Sequence, residues 1–176
     1  AGEALVSLLN SKELTVRISA VKAISKTGIT QGAAPLLNLL KNDREPSVRV
    51  EALKALAVMK DQQIGEAIKL ALSDKDKVVR VAGIDLIGKM DIPKDLMVSL
   101  LSDVINTKTM EEKQAALLTL GNLPVQNTNK VFDDLLKKMS SGKLAPDIYL
   151  ELAEAIDSSR SPELISNYKK ISATLS

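Results

Sequence analysis

Apolar positions along this chain recur at helical spacing. Val16-Arg17-Ile18-Ser19-Ala20-Val21-Lys22-Ala23-Ile24 carries apolar or small residues at its first, fifth, sixth, eighth and ninth places. On a helix of about 3.6 residues per turn these places form one broad stripe. The pattern returns without gaps at Val48 to Leu56 and at Val79 to Ile87, with second-place arginines at 17, 49 and 80, spaced by 32 and 31 residues. A fourth copy, Glu112 to Leu120, has Lys113 in the arginine place and departs from the stripe at Glu112 and Thr119; a weaker fifth, Ile148 to Ile156, has Tyr149 there. No alternation of period two persists, as half-buried strands would require.

The fifth place is Ala20, Ala52, Gly83 and Ala116, small enough for two helix axes to approach closely, and only Leu152 in the last copy breaks this. Before each copy lies a second amphipathic segment: Leu5 to Leu9, Ala33 to Leu40, Ile64 to Leu72, Leu96 to Ile105 and Val131 to Met139. Pro35 suits the first turn of one of these, and Pro46 and Pro146 are placed to open second helices, because the missing proline N–H has no intrahelical role there. Gly28, Gly32, Gly121, Pro124 and Gly142 punctuate the connections.

The prediction is an all-α chain of five helix pairs, over residues 1–28, 29–60, 61–91, 92–124 and 125–158, with a final helix at 161–175. One pair cannot bury its own stripe, so the pairs must stack as a solenoid, read as a single domain. The final helix has no partner after it. That reads equally as a cap or as half of another pair in a longer chain.

Composition narrows the chemistry more than the fold. Only 2% of the residues are aromatic, so the interior must be built from Leu, Ile, Val and Ala. A net charge of +2, with both signs intermixed, gives no electrostatic case for nucleic acid. Cysteine and histidine are both absent. That excludes Ser-His-Asp and Cys-His nucleophile systems, disulfides and thiolate or imidazole metal sites, and leaves the redox compartment open. No apolar run is long enough to span a bilayer, and the start, Ala1-Gly2-Glu3-Ala4-Leu5, carries no basic flank or cleavage pattern, so the signal of an exported protein is expected outside this sequence.

An aspartate in the turn, then Val-Arg, then alanine at the close-approach place resembles the short bacterial HEAT repeats found in phycobilin lyases and many unrelated proteins. Asp43 with Arg49 and Asp74 with Arg80 carry this pattern in full, each pair six residues apart, and Arg17 carries the arginine alone. The resemblance implies a right-handed α-α superhelix of HEAT or armadillo type, in which these five residues form a structural ladder between neighbouring repeats. The ladder is expected to stop after the third.

A closer resemblance covers the second half. Glu111-Glu112-Lys113-Gln114-Ala115-Ala116-Leu117-Leu118-Thr119-Leu120-Gly121-Asn122-Leu123-Pro124, then Asp134-Leu135-Leu136 and Gly142-Lys143-Leu144-Ala145-Pro146-Asp147, is similar to a HEAT domain of large membrane-associated bacterial dehydrogenases. There the domain lies between a β-propeller and a c-type cytochrome domain. The resemblance implies a fragment acting as an interdomain spacer in an extracytoplasmic redox protein, with haem c on a flanking domain; a cytoplasmic location is the alternative. No Cys-x-x-Cys-His motif occurs, so this chain would bind no cofactor and catalyse nothing itself.

Remaining chemistry is sparse. Asp133 with Asp134, Glu111 with Glu112, and Glu151 with Glu154 fall where a solvated helix face is expected. Asp74-Lys75-Asp76 lacks the later ligands of a calcium loop, and no glycine-rich phosphate loop is present. The positions expected on the concave surface read Ser19, Glu51, Ala82, Ala115 and Glu151 at the fourth place. At the seventh they read Lys22, Lys54, Asp85, Leu118 and Glu154. A phosphate track needs cations down both columns, whereas here the sign turns from basic to acidic. These columns suit a protein partner or flanking domains of the same chain, either as a spacer or as an adaptor that binds a peptide; a phycobilin-lyase-related protein is the third reading, disfavoured by the absence of both histidine and cysteine. Leu118 is an apolar anchor there if exposed, although packing against its own neighbours is the commoner fate of a leucine.

Overall fold

The computed structural model describes residues 2–60 and 62–175. Positions 1 and 61, where two of the expected repeats begin, lie outside the described residues. Among the described residues there are eleven α-helices, two 3₁₀ turns and no strand. They run as pairs: α1 (Gly2–Leu8) with α2 (Leu14–Thr27), α3 (Ala33–Asn42) with α4 (Pro46–Val58), and α5 (Ile64–Leu72) with α6 (Lys77–Ile87). Then come α7 (Lys94–Thr107) with α8 (Met110–Gly121), α9 (Val125–Ser140) with α10 (Tyr149–Ser159), and α11 (Pro162–Leu175).

Local chemistry sets most boundaries. Gly28 ends α2 with φ of 68°, a left-handed conformation that favours glycine, and its N–H closes on the Ile24 carbonyl. Pro46 is the first residue of α4, as its spacing predicts. Pro146 behaves differently: it opens a 3₁₀ turn, Pro146–Ile148, and α10 starts only at Tyr149. The first helix of the fifth pair also begins earlier than its apolar run suggests. Pro124 fixes the entry to α9, and Thr128 and Phe132, spaced on one face, are both buried.

The helices group into two compact units, Ala1–Leu86 and Ile87–Ser176. In the first, α3 packs on α4 and α5, and α2 packs on α1 and α4, so first helices meet first helices and second meet second. The core is aliphatic, with Ile24, Leu36, Val48, Leu53 and Leu56 fully buried. The small fifth place has a steric reason. A Cβ added to Gly83 on α6 would stand 3.0 Å from the Cβ of Ala71 on α5.

In the second unit α7 packs on α8 and α9, α9 on α11, and α8 on α10. The last helix therefore takes the place of a first helix beside α9, while also touching α10. The approach of α8 to α10 is tighter still: a Cβ on Gly121 would lie 2.8 Å from the Ala155 Cα and 3.0 Å from its carbonyl oxygen. Those are backbone atoms that no rotamer change can move. Gly121→Ala is expected to lower stability to urea by about 1–3 kcal/mol through overpacking. Gly65→Ala, in the first turn of α5 with no atom within 4 Å of its added Cβ, should be neutral or stabilising. Equal stabilities for the two variants would show that α8 and α10 do not meet through Gly121.

Candidate functional site

Two sets of charges occupy different places in the molecule. The first set is internal. Arg17 donates from Nε to Asp43 Oδ2 at 2.9 Å and from Nη2 to Oδ1 at 3.2 Å, while Nη1 reaches the Ser11 and Lys12 carbonyls at 3.0 and 3.2 Å. Arg49 repeats this with Asp74, both bonds at 2.9 Å, and its Nη1 donates to the Asp43 carbonyl at 2.7 Å. Each arginine thus joins the turn of its own pair to the aspartate of the following one. The bidentate fork matches carboxylate geometry. Asp43 and Asp74 also accept from the amides of Glu45 and Asp76, at 3.0 and 2.9 Å, which fixes each turn. Arg80 donates to the Asp74 carbonyl at 2.8 Å.

These groups are almost out of water: the side chains of Arg17 and Asp43 are 7% and 5% exposed, those of Arg49 and Asp74 2% and 9%. The spacing of six residues, legible in sequence, corresponds to the arginine and the backbone carbonyl of its own turn. The carboxylate partner comes from 25 or 26 residues away.

The second set faces outward on the second helices. In the first unit Ser19, Lys22, Lys54 and Asp85 are exposed and Glu51 is half-buried. Lys22, Ser25, Lys26, Glu51, Lys54 and Val58 line one groove of about 230 Å³ between α2 and α4. In the second unit Glu154 is exposed, and so is Leu118, at 62%. Packing of Leu118 against its neighbours is therefore not what happens, because Ala116, Leu117 and Leu120 form the buried side of α8 and turn it outward. Leu150 on α10 is likewise 65% exposed.

Three carboxylates depart from the solvated face expected of them. Glu112 is only 1% exposed. It is held at the start of α8, where the Thr109 hydroxyl donates to Glu112 Oε1 at 2.9 Å and accepts from the Glu112 amide at 3.4 Å. The Thr-x-x-Glu spacing of a helix N-terminus signals this pair in the sequence. Glu151 is half-buried and accepts from Gln114 Nε2 at 2.9 Å, linking α10 to α8. With 37 residues between them, no local signal could reveal that bond. Asp133 is also half-buried, while Asp134 and Glu111 are exposed.

Among the described residues no group of three or more acidic side chains is placed to hold a metal ion. No described helix is long and apolar enough to cross a membrane.

Residues 33–121, just over half of the chain, match the family described as HEAT repeats. The Bilin biosynthesis protein CpeZ of Synechococcus sp. (strain WH8020) is 27% identical over 157 residues, covering 82% of this chain and 83% of that protein. The Uncharacterized phycocyanin operon protein Z of Pseudanabaena tenuis (strain PCC 7409) is 27% identical over 174 residues, covering 94% and 82%. Neither name is that of a dehydrogenase.

Proposed function

Because the chain belongs to the HEAT-repeat family, we propose that it is a non-catalytic protein-binding module whose contact surface is the outward side of its second helices. The observation that carries this reading is the separation of the two charge sets. Arg17, Asp43, Arg49 and Asp74 are engaged in buried rungs, whereas Lys22, Lys54 and Asp85 in the first unit present mixed charge to solvent and, in the second unit taken by itself, Leu118 and Glu154 present an apolar and an acidic side chain. An apolar anchor among polar neighbours is how many protein interfaces are composed. The absence of histidine and cysteine supports a module that holds a partner rather than transforms one.

Panning a random peptide library on the folded chain tests this. Enriched peptides are expected to lose binding on Lys54→Glu or Leu118→Asp and to keep it on Lys130→Glu, an exposed change on the first helix α9. Enriched peptides indifferent to every second-helix change, or no enrichment at all, would contradict the reading.

A second reading is favoured by the likeness to the bilin biosynthesis protein and the phycocyanin operon protein over most of this chain. A module of that kind would take part in handling a bilin. Titration with a linear tetrapyrrole should then shift and sharpen its visible absorbance; an unchanged spectrum removes this reading. The spacer role, with its extracytoplasmic location and haem on a flanking domain, is supported by the resemblance of residues 111–124, 134–136 and 142–147. A haem-attachment motif downstream in the parent reading frame is its test.

A further inference from the structure

We infer that the groove between α2 and α4 docks an acidic polypeptide segment that carries an apolar residue beside its carboxylates. The inference rests on the protein-binding reading above and specifies the ligand's chemistry. Helices α2 and α4 carry five cations between them, Arg17, Lys22, Lys26, Arg49 and Lys54, and one carboxylate, Glu51. The two arginines turn inward to the rungs. Every remaining cation of these helices, Lys22, Lys26 and Lys54, lines the groove, exposed and outside any ion pair among the described residues.

Three cations therefore face one half-buried glutamate. That leaves the groove with an uncompensated positive charge that a carboxylate-bearing ligand would neutralise. Lys26, in the last turn of α2, also offsets the partial negative charge of that helix end. Lys22 and Lys54 lie further inside their helices and are free of that role.

Spacing and an apolar contact refine the occupant. Lys22 and Lys26 are one helical turn apart, about 6 Å along the axis. Residues i and i+2 of an extended chain are about 6.6 Å apart and point to the same side. A Glu-x-Glu segment therefore matches the lysines. Val58, 66% exposed at the end of α4 and one turn beyond Lys54, offers an apolar contact beside them.

A nucleic acid strand would meet the same lysines with an evenly charged backbone, and its bases would need rings to stack on. The chain's only aromatic residues, Phe132, Tyr149 and Tyr168, all fall outside the unit that holds the groove. The chemistry favours peptide.

The test is fluorescence anisotropy of the full chain with a labelled peptide of about twelve residues repeating Glu-Ser-Glu-Leu, an extended ligand of the kind that grooves accept. Saturable binding is expected, weakened at least about tenfold by Lys22→Glu with Lys54→Glu and several-fold by raising salt from about 50 to about 300 mM. The neutral pair Lys22→Gln with Lys54→Gln should give a smaller loss, and Lys130→Glu none. Unchanged circular dichroism and melting of the variants would show that binding, not folding, is lost.

Absence of saturable binding, equal binding of the Gln-for-Glu peptide, indifference to both lysine pairs, or tighter binding of a thymidine oligonucleotide of equal charge would each overturn the inference. The protein-binding reading fails separately. Panned peptides that respond to Leu118→Asp, with no saturable binding of the acidic peptide, would leave that reading standing and overturn this one.

Discussion

Arg49→Ala is expected to cost about 3–5 kcal/mol of unfolding free energy, the scale seen when one partner of a buried ion pair is removed. The variant loses three hydrogen bonds, two to the Asp74 carboxylate and one to the Asp43 carbonyl. Asp74, 9% exposed beside Arg49 in the intact chain, would lose the cation that pairs with its charge. By contrast Lys41 and Glu66 stand 3.8 Å apart at 43% and 56% exposure, where screening and side-chain entropy cancel most of the attraction. Lys41→Ala should therefore change stability by less than about 0.5 kcal/mol.

Chemical denaturation of the two variants decides the matter. Similar losses would mean the rung is not acting as a buried pair. Replacing Arg49 and Asp74 together by apolar residues should cost less than Arg49→Ala, because no stranded charge remains. On that account the rung sets the register between successive pairs more than it adds net stability.

Phe132→Ala is expected to cost about 3–5 kcal/mol as well, for a different reason. Phe132 is the chain's one phenylalanine and is 0% exposed on α9. Its neighbours on the buried side of the helix, Leu135, Leu136 and Met139, are held at nearly the same depth. Removing a ring from a helix-lined core leaves a cavity that fixed backbones cannot close. Phe132→Leu, which keeps much of the volume, should cost under about 1.5 kcal/mol. Urea midpoints of the two variants distinguish cavity from chemistry, and an alanine variant within about 1 kcal/mol of the parent would contradict the packing described.

The parts of this molecule written in periodicity are legible in the sequence. The second helices could be read from three gapless copies because burying one face of a helix imposes the same places each time, and α5 runs over the very residues its apolar pattern marks. The rung residues were legible by type, since Asp43 and Arg49 stand in a fixed local spacing. Their partners were not: a carboxylate 25 residues away is chosen by stacking, which no local spacing encodes. The same holds for Gln114 and Glu151.

Glu112 departs from the expected solvated face because a carboxylate at an apolar place looks like surface, whereas the Thr109 hydroxyl allows it to be buried at a helix start. Leu118 is the opposite case, an outward column position that the residue type argues against. Its composition suggests core, but its place on α8 points it to solvent. The candidate surface was thus visible as columns of residues, while the meeting of Lys22, Glu51 and Lys54 in one groove needed the packing of α2 on α4.

The proposed division between buried rungs and a binding face on the second helices is tested most directly by the backbone-amide footprint of a panned peptide, recorded by heteronuclear NMR on the full chain. Shift changes are predicted on the second helices, within residues 14–27, 46–58 and 77–87 or within 110–121 and 149–159. A footprint centred on the first helices, at 33–42, 94–107 or 125–140, would contradict the account.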